Sequence, residues 1–181
     1  MNPYIRCFLP PAFDLDKLLD LKHWNKISSV LKVMKKLTHR MQVICAVTAA
    51  EIALPVWEKF SERENNSPQK AIDLIHKWLL GTATKAELIS AAADANAAAR
   101  STSGVAYGSA NAASYAAATI YTANAAEAAS KAITYTVNAT QYISSATGDA
   151  TEAYIIWWDR CKPLLEEEYN QWSRKLRGEG S

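Results

Sequence analysis

Glycine and proline are scarce, six of each in 181 residues. So few turn formers disfavour a fold of many short strands joined by tight turns. Cysteine is scarcer still. Cys7, Cys45 and Cys161 stand far apart, with no C-x-x-C pair. The odd count and wide spacing argue against a zinc site and a disulfide framework, and free thiols fit a reducing cytosol. The three histidines, His23, His39 and His76, share no ligand-like spacing. No metal and no cofactor are expected from them. An excess of charge of one sign is also missing. Twenty basic against eighteen acidic residues leave a formal charge of +2, which does not point to nucleic acid. The most apolar stretch, Val43 to Trp57, is interrupted by Glu51 and Pro55 and is too short to span a bilayer. The N-terminal MNPYIRCFLPPAFD lacks the basic end and longer apolar run of a signal peptide. The expectation is a soluble, cytoplasmic protein without membrane contact. No G-x-S-x-G elbow and no glycine-rich phosphate loop occur, so no catalytic residue is assigned and a non-enzyme is expected.

What the chain has is alanine, 32 residues, of which 23 fall between positions 91 and 150 beside only five charges. Alanine is the best helix former, and its small side chain lets helix axes approach closely. An all-α fold follows, a single-domain bundle or stack of several helices with alanine-rich central members. Composition divides it into a lysine-rich helical segment over 1–40 packed on the main domain, an alanine-rich helical domain over 41–170, and a solvated tail over 171–181. The six tryptophans, toward the two ends of the sequence, are expected to cover the outer faces of the stack.

Local signals place the helices. Ile27, Val30, Leu31, Met34 and Leu37 recur at three- and four-residue spacing with Lys32, Lys35 and Lys36 turned away. A second helix is expected from about Met41 to Arg63, with Pro55 inside it, kinking it or ending its first half. Ser67-Pro68 reads as an N-cap with proline at the first helical position, and Gly81 as that helix's stop. Thr84 with Glu87 is a capping box for the next helix, which Ser101–Gly104 ends. One helix from Val105 through the remaining alanine-rich run would be roughly 60 Å long, too long for a domain of this size, so a break is expected near Thr122. A last helix from about Asp149 is bent or restarted at Pro163, with Arg174 onward solvated.

Two constellations are candidates for function. Glu51, Glu58 and Glu62 lie within about 40° of one another on a helix of 3.6 residues per turn. With Trp57 beside them they form a candidate acidic strip with an aromatic anchor for a protein partner. A merely solvated helix face explains Glu58 and Glu62 as well. Glu51 lies among apolar neighbours and needs a donor if buried, for which Arg100, the lone basic residue of its alanine-rich helix, is a candidate in a structural ion pair. The tyrosines 107, 115, 121, 135 and 142 suit either gaps in an alanine-rich core or a recognition surface.

The ordered residues Cys45, Glu51, Leu54-Pro55-Val56-Trp57-Glu58, Pro68, Ala71-Ile72, Trp78 and Gly81, followed by Ala91-Ala-Ala and Ala97-Ala-Ala-Arg100 and two more alanine-rich helices, resemble the immunity proteins of bacterial polymorphic toxin systems. The similarity is to the immunity protein five-like group, over roughly residues 41 to 165. Ser67 stands where that group has arginine, and Tyr121 and Asn124 where its members often carry histidine. The resemblance implies a cytoplasmic binding protein that neutralises a cognate toxin by occlusion, with no chemistry of its own. The alternatives are a small-molecule binder or enzyme with a pocket between alanine-rich helices, lined by tyrosine and Glu51, and a self-assembling helical protein.

Overall fold

A computed structural model describes residues 27–61, 65–141 and 150–176. These form seven α-helices and no strand: α1 (Ile27–Met34), α2 (His39–Phe60), α3 (Ser67–Leu79), α4 (Lys85–Arg100), α5 (Gly104–Tyr121), α6 (Ala125–Gln141) and α7 (Ala150–Leu176). The all-α, multi-helix reading of the sequence is the observed architecture. No helix among the described residues is long and apolar enough to cross a membrane.

Two helices are central. In α2 every residue from Met41 to Ala50 is buried, so the helix has no solvent face there. In α5 the same holds from Gly108 to Ser114, and Ala116, Ala117, Thr119 and Ile120 are buried as well. Around α5 pack α2, α3, α4 and α6, while α1 lies on α6 and α7 lies across α2 and α6.

Alanine sets the spacing of this stack. Because the facing side chains are single methyl groups, short hydroxyl side chains reach carbonyls of a neighbouring helix. Ser109 on α5 donates to the Ala53 carbonyl of α2. Ser114 donates to the Ala92 carbonyl of α4 at 2.9 Å, and Thr136 on α6 to the Ala49 carbonyl of α2 at 2.8 Å. The Trp157 indole donates to the Cys45 carbonyl at 3.0 Å, fastening α7 to α2. Gly108 marks the closest approach, since a Cβ there would stand 3.3 Å from both the Ala139 Cβ and the Tyr135 carbonyl oxygen of α6.

The helix punctuation follows local chemistry. Thr38 caps α2 by accepting from the Met41 amide. Both halves of the Thr84–Glu87 capping box are made. Gly81, at φ +77°, closes α3 with its own amide on the Trp78 carbonyl and the Thr82 amide on the Lys77 carbonyl, the two bonds of a Schellman stop. The alanine-rich run breaks at Thr122, in extended backbone between α5 and α6. The N-cap of α3 is Asn66 rather than Ser67, one residue earlier than the sequence implies, with the Asn65 side chain accepting from the Ser67 amide.

Two expectations are corrected, and at both prolines one of the two expected outcomes, a helix end or restart, does not occur. Pro55 neither ends nor divides α2, which runs on to Phe60 because Ala53, Val56 and Trp57 are buried around it. Pro163 likewise lies inside an uninterrupted α7, with Cys161 and Leu165 buried on either side. That helix continues through Leu176 into the stretch expected as tail, where Gln171 bonds Glu167 and Arg174 bonds the Asn170 carbonyl. Finally, Trp57, Trp157 and Trp158 are core residues rather than an outer cover, since alanine methyls alone leave space that only a large ring fills. Trp24 lies outside the described residues. Cys45 and Cys161 are free, buried thiols 3.2 Å apart, joining α2 to α7, and burial pushes the Cys161 thiol well above the usual range.

Candidate functional site: a charged groove between three helices

Glu51 lies where α2 emerges from the core. Arg40, Ile44, Val47, Thr48 and Glu51 recur at helical spacing and form one stripe of α2. Opposite stand His76 and Leu79 from α3, and Leu164, Glu167, Glu168 and Gln171 from α7, a second stripe of the same period. Together they enclose a cavity of about 250 Å³. Its floor is aliphatic and its rim carries charge.

The rim groups are paired. His76 Nε2 lies 2.6 Å from Glu51 Oε1, with 48% and 38% of the two side chains exposed. The hydrogen bond to Glu51 is the main reason the His76 pKa is raised above 6.5. Partial burial opposes it, and the charges of Glu51 and Asp73 add to it. Arg40 Nε donates to Glu168 Oε2 at 2.9 Å and its Nη1 to the Leu79 carbonyl at 3.0 Å, so one guanidinium ties all three helices together. Among the described residues, Glu167 accepts only from the neutral Gln171 amide, at 3.2 Å. Thr48, buried at the cavity wall, has a hydroxyl with no hydrogen-bond partner.

The expected site is only partly assembled. Glu51 pairs with His76 and not with Arg100. Arg100 is exposed at the end of α4, where Ala98 and Ala99 pack with Trp57, six residues and roughly 9 Å along α2 from Glu51. Trp57 is not a surface anchor. It is 3% exposed, packs with Ala98, Ala99, Ala106 and Ala110, and donates its indole N–H to the Asn65 carbonyl at 2.7 Å. Glu58 is exposed on α2 outside the groove, and Glu62 lies outside the described residues. Sequence reasoning missed Arg40, Glu167 and Glu168 as neighbours of Glu51. The only signal was their place on helical stripes shared with apolar residues.

Among the described lining residues Thr48 is the sole hydroxyl and no thiol is present. Among the described residues no three His, Cys, Asp or Glu side chains converge as metal ligands. A second polar feature lies away from the groove. Tyr115 and Tyr135 stack at 5.4 Å between ring centroids, Tyr107 meets Tyr135 edge-on at 6.1 Å, and the Lys131 ammonium sits 5.4 Å from the Tyr115 ring. These tyrosines are half-buried to exposed, and they join α5 to α6 across the surface.

Residues 32–169 match the family model described as Imm-5 like putative immunity protein. No curated protein and no solved structure matches the chain. The match spans well over half of the sequence and includes the groove from Arg40 to Glu168, and the chain belongs to this family.

Proposed function

We propose that this member of the Imm-5 like family is a cytoplasmic, non-catalytic binding module that neutralises a cognate bacterial toxin by occluding it. The groove around Glu51 is the docking centre, with Glu58 one turn and more beyond it on the same helix. The observation that carries this reading is the groove itself. Charged side chains of both signs are presented at partial exposure on three helices. Such groups steer and orient a protein partner. The chain's near-neutral total charge is compatible with this, because the acidity is local to Glu51, Glu167 and Glu168.

Ligand pockets enclose about 300–1,000 Å³, and this groove, at about 250 Å³, is smaller, which weighs against it as a small-molecule site. The test is co-purification and calorimetric titration with the toxin encoded beside the chain, comparing the native protein with Glu51→Lys. Stoichiometric association that Glu51→Lys weakens, together with protection of cells in co-expression, is the expected result. A folded native chain that neither binds nor protects against that toxin would overturn the proposal.

A further inference from the structure

We propose that the groove between α2, α3 and α7 is a receptor for a single arginine side chain contributed by the bound protein. This rests on the docking reading above and specifies the chemistry at its centre. Two observations converge on that occupant.

The first is charge. Three carboxylates, Glu51, Glu167 and Glu168, face two cationic groups, Arg40 and His76. Arg40 is committed to Glu168 and to the Leu79 carbonyl, and His76 to Glu51. Glu167 is left with a neutral amide, so the groove keeps uncompensated negative charge even when His76 is protonated. The second is shape. An aliphatic floor of Ile44 and Val47, with Leu164 44% exposed at the edge, suits the three-methylene stem of arginine, which buries its stem and keeps its head at a polar rim. At about 250 Å³ the cavity has room for such a side chain. Arginine fits better than lysine because its planar fork serves two acceptors at once and is more weakly hydrated.

The experiment is an NMR titration of the isotope-labelled full chain with N-acetyl-arginine amide, and with N-acetyl-citrulline amide as the uncharged isostere. The expected result is saturable shifts of the Thr48, Glu51 and His76 amides with the arginine probe and none with citrulline. Glu167→Gln, a surface change that leaves the His76–Glu51 pair untouched, weakens arginine binding by about two- to fivefold, the range for a partly exposed ion pair. Absence of saturable shifts, equal shifts from citrulline, or unchanged affinity in Glu167→Gln overturns the proposal. The two readings fail separately. Arginine binding in a chain that engages no toxin leaves the pocket standing and removes the immunity role. A toxin complex unaffected by Glu167→Gln and by excess arginine probe keeps the immunity role and removes the pocket.

Discussion

Trp57 separates a structural from a docking role by magnitude. The ring is 3% exposed, so nearly its whole surface is withdrawn from water. A tryptophan buries about 150–250 Å², which at about 25 cal/mol per Å² is about 4–6 kcal/mol. That is an upper value, because the unfolded chain already shields part of the ring. Its neighbours Ala98, Ala99, Ala106 and Ala110 are single methyl groups and cannot extend into the space it leaves. Trp57→Ala is therefore expected to cost about 3–5 kcal/mol. At about 2–4 °C per kcal/mol for a chain of this length, the melting midpoint falls by about 6–20 °C. Trp57→Phe keeps most of the ring but loses the 2.7 Å bond to the Asn65 carbonyl between α2 and α3. About 1–2 kcal/mol is expected for that change. Denaturant unfolding followed by circular dichroism gives both values, and partner binding is measured below the unfolding transition. A folded Trp57→Ala protein that loses less than about 1 kcal/mol but no longer binds its partner would refute the core assignment.

Three further outcomes are expected. His76 should titrate above 6.5 and return toward that value in Glu51→Gln, as read from its ring resonances. Because the folded pKa is raised, the pair's stabilisation is complete below about 6.5, the ordinary histidine value, and is lost as pH rises through the folded value. The stability gap between native and Glu51→Gln should therefore close at alkaline pH. Thr84→Ala removes the side-chain acceptor for the Glu87 amide and should lower stability by about 1 kcal/mol in denaturant unfolding. Gly108→Leu should cost about 1–3 kcal/mol through overpacking against Ala139 and the Tyr135 carbonyl. By contrast, Gly108→Ala should be near neutral, its helix-propensity gain of about 0.5–1 kcal/mol offsetting a contact that is slightly too close. Equal midpoints for Gly108→Leu and the native chain would contradict the close packing of α5 on α6.

The fold was legible where a residue acts on its own backbone. Thr84 with Glu87, Gly81 and the break at Thr122 are short-range chemistry, and each stands where the residues imply. Pro55 and Pro163 stand inside continuous helices because their cost, about 3 kcal/mol, is local, while the burial that outweighs it comes from distant helices. Val56 and Trp57 beside Pro55, and Cys161 and Leu165 beside Pro163, are all buried. The groove was illegible for a related reason. Its three stripes come from residues 40–51, 76–79 and 164–171, far apart in the sequence, and no local pattern says which helix each of them faces. Glu51 and Arg100 were matched because each is a lone charge among apolar residues. In space, His76 is nearer than Arg100, and α3 rather than α4 covers that flank of α2.

Alanine also bears on how such a groove works. A partner's binding energy is reduced by every side chain and helix that must be ordered on contact, so a receptor made of three helices is useful only if they are held in place beforehand. Methyl-to-methyl packing contributes little burial energy per contact. What fixes the helices instead is the short reach it allows, with Ser109 and Thr136 bonding α5 and α6 to carbonyls of α2 and Trp157 bonding α7 to α2. Arg40 then draws the C-terminus of α3 and the middle of α7 onto the first turn of α2 at the groove. The carboxylates of Glu51 and Glu167 are thus carried on different helices whose separation is set by the core. On this argument a core change that loosens α7, such as Trp157→Phe with loss of the Cys45 carbonyl bond, should weaken groove binding without touching a groove residue. A surface change at Leu80, 79% exposed just beyond the end of α3, should leave binding unchanged. Calorimetric titration of both variants with the arginine probe makes the comparison. Equal affinities would mean that the groove is shaped by its own side chains and not by the stack beneath it.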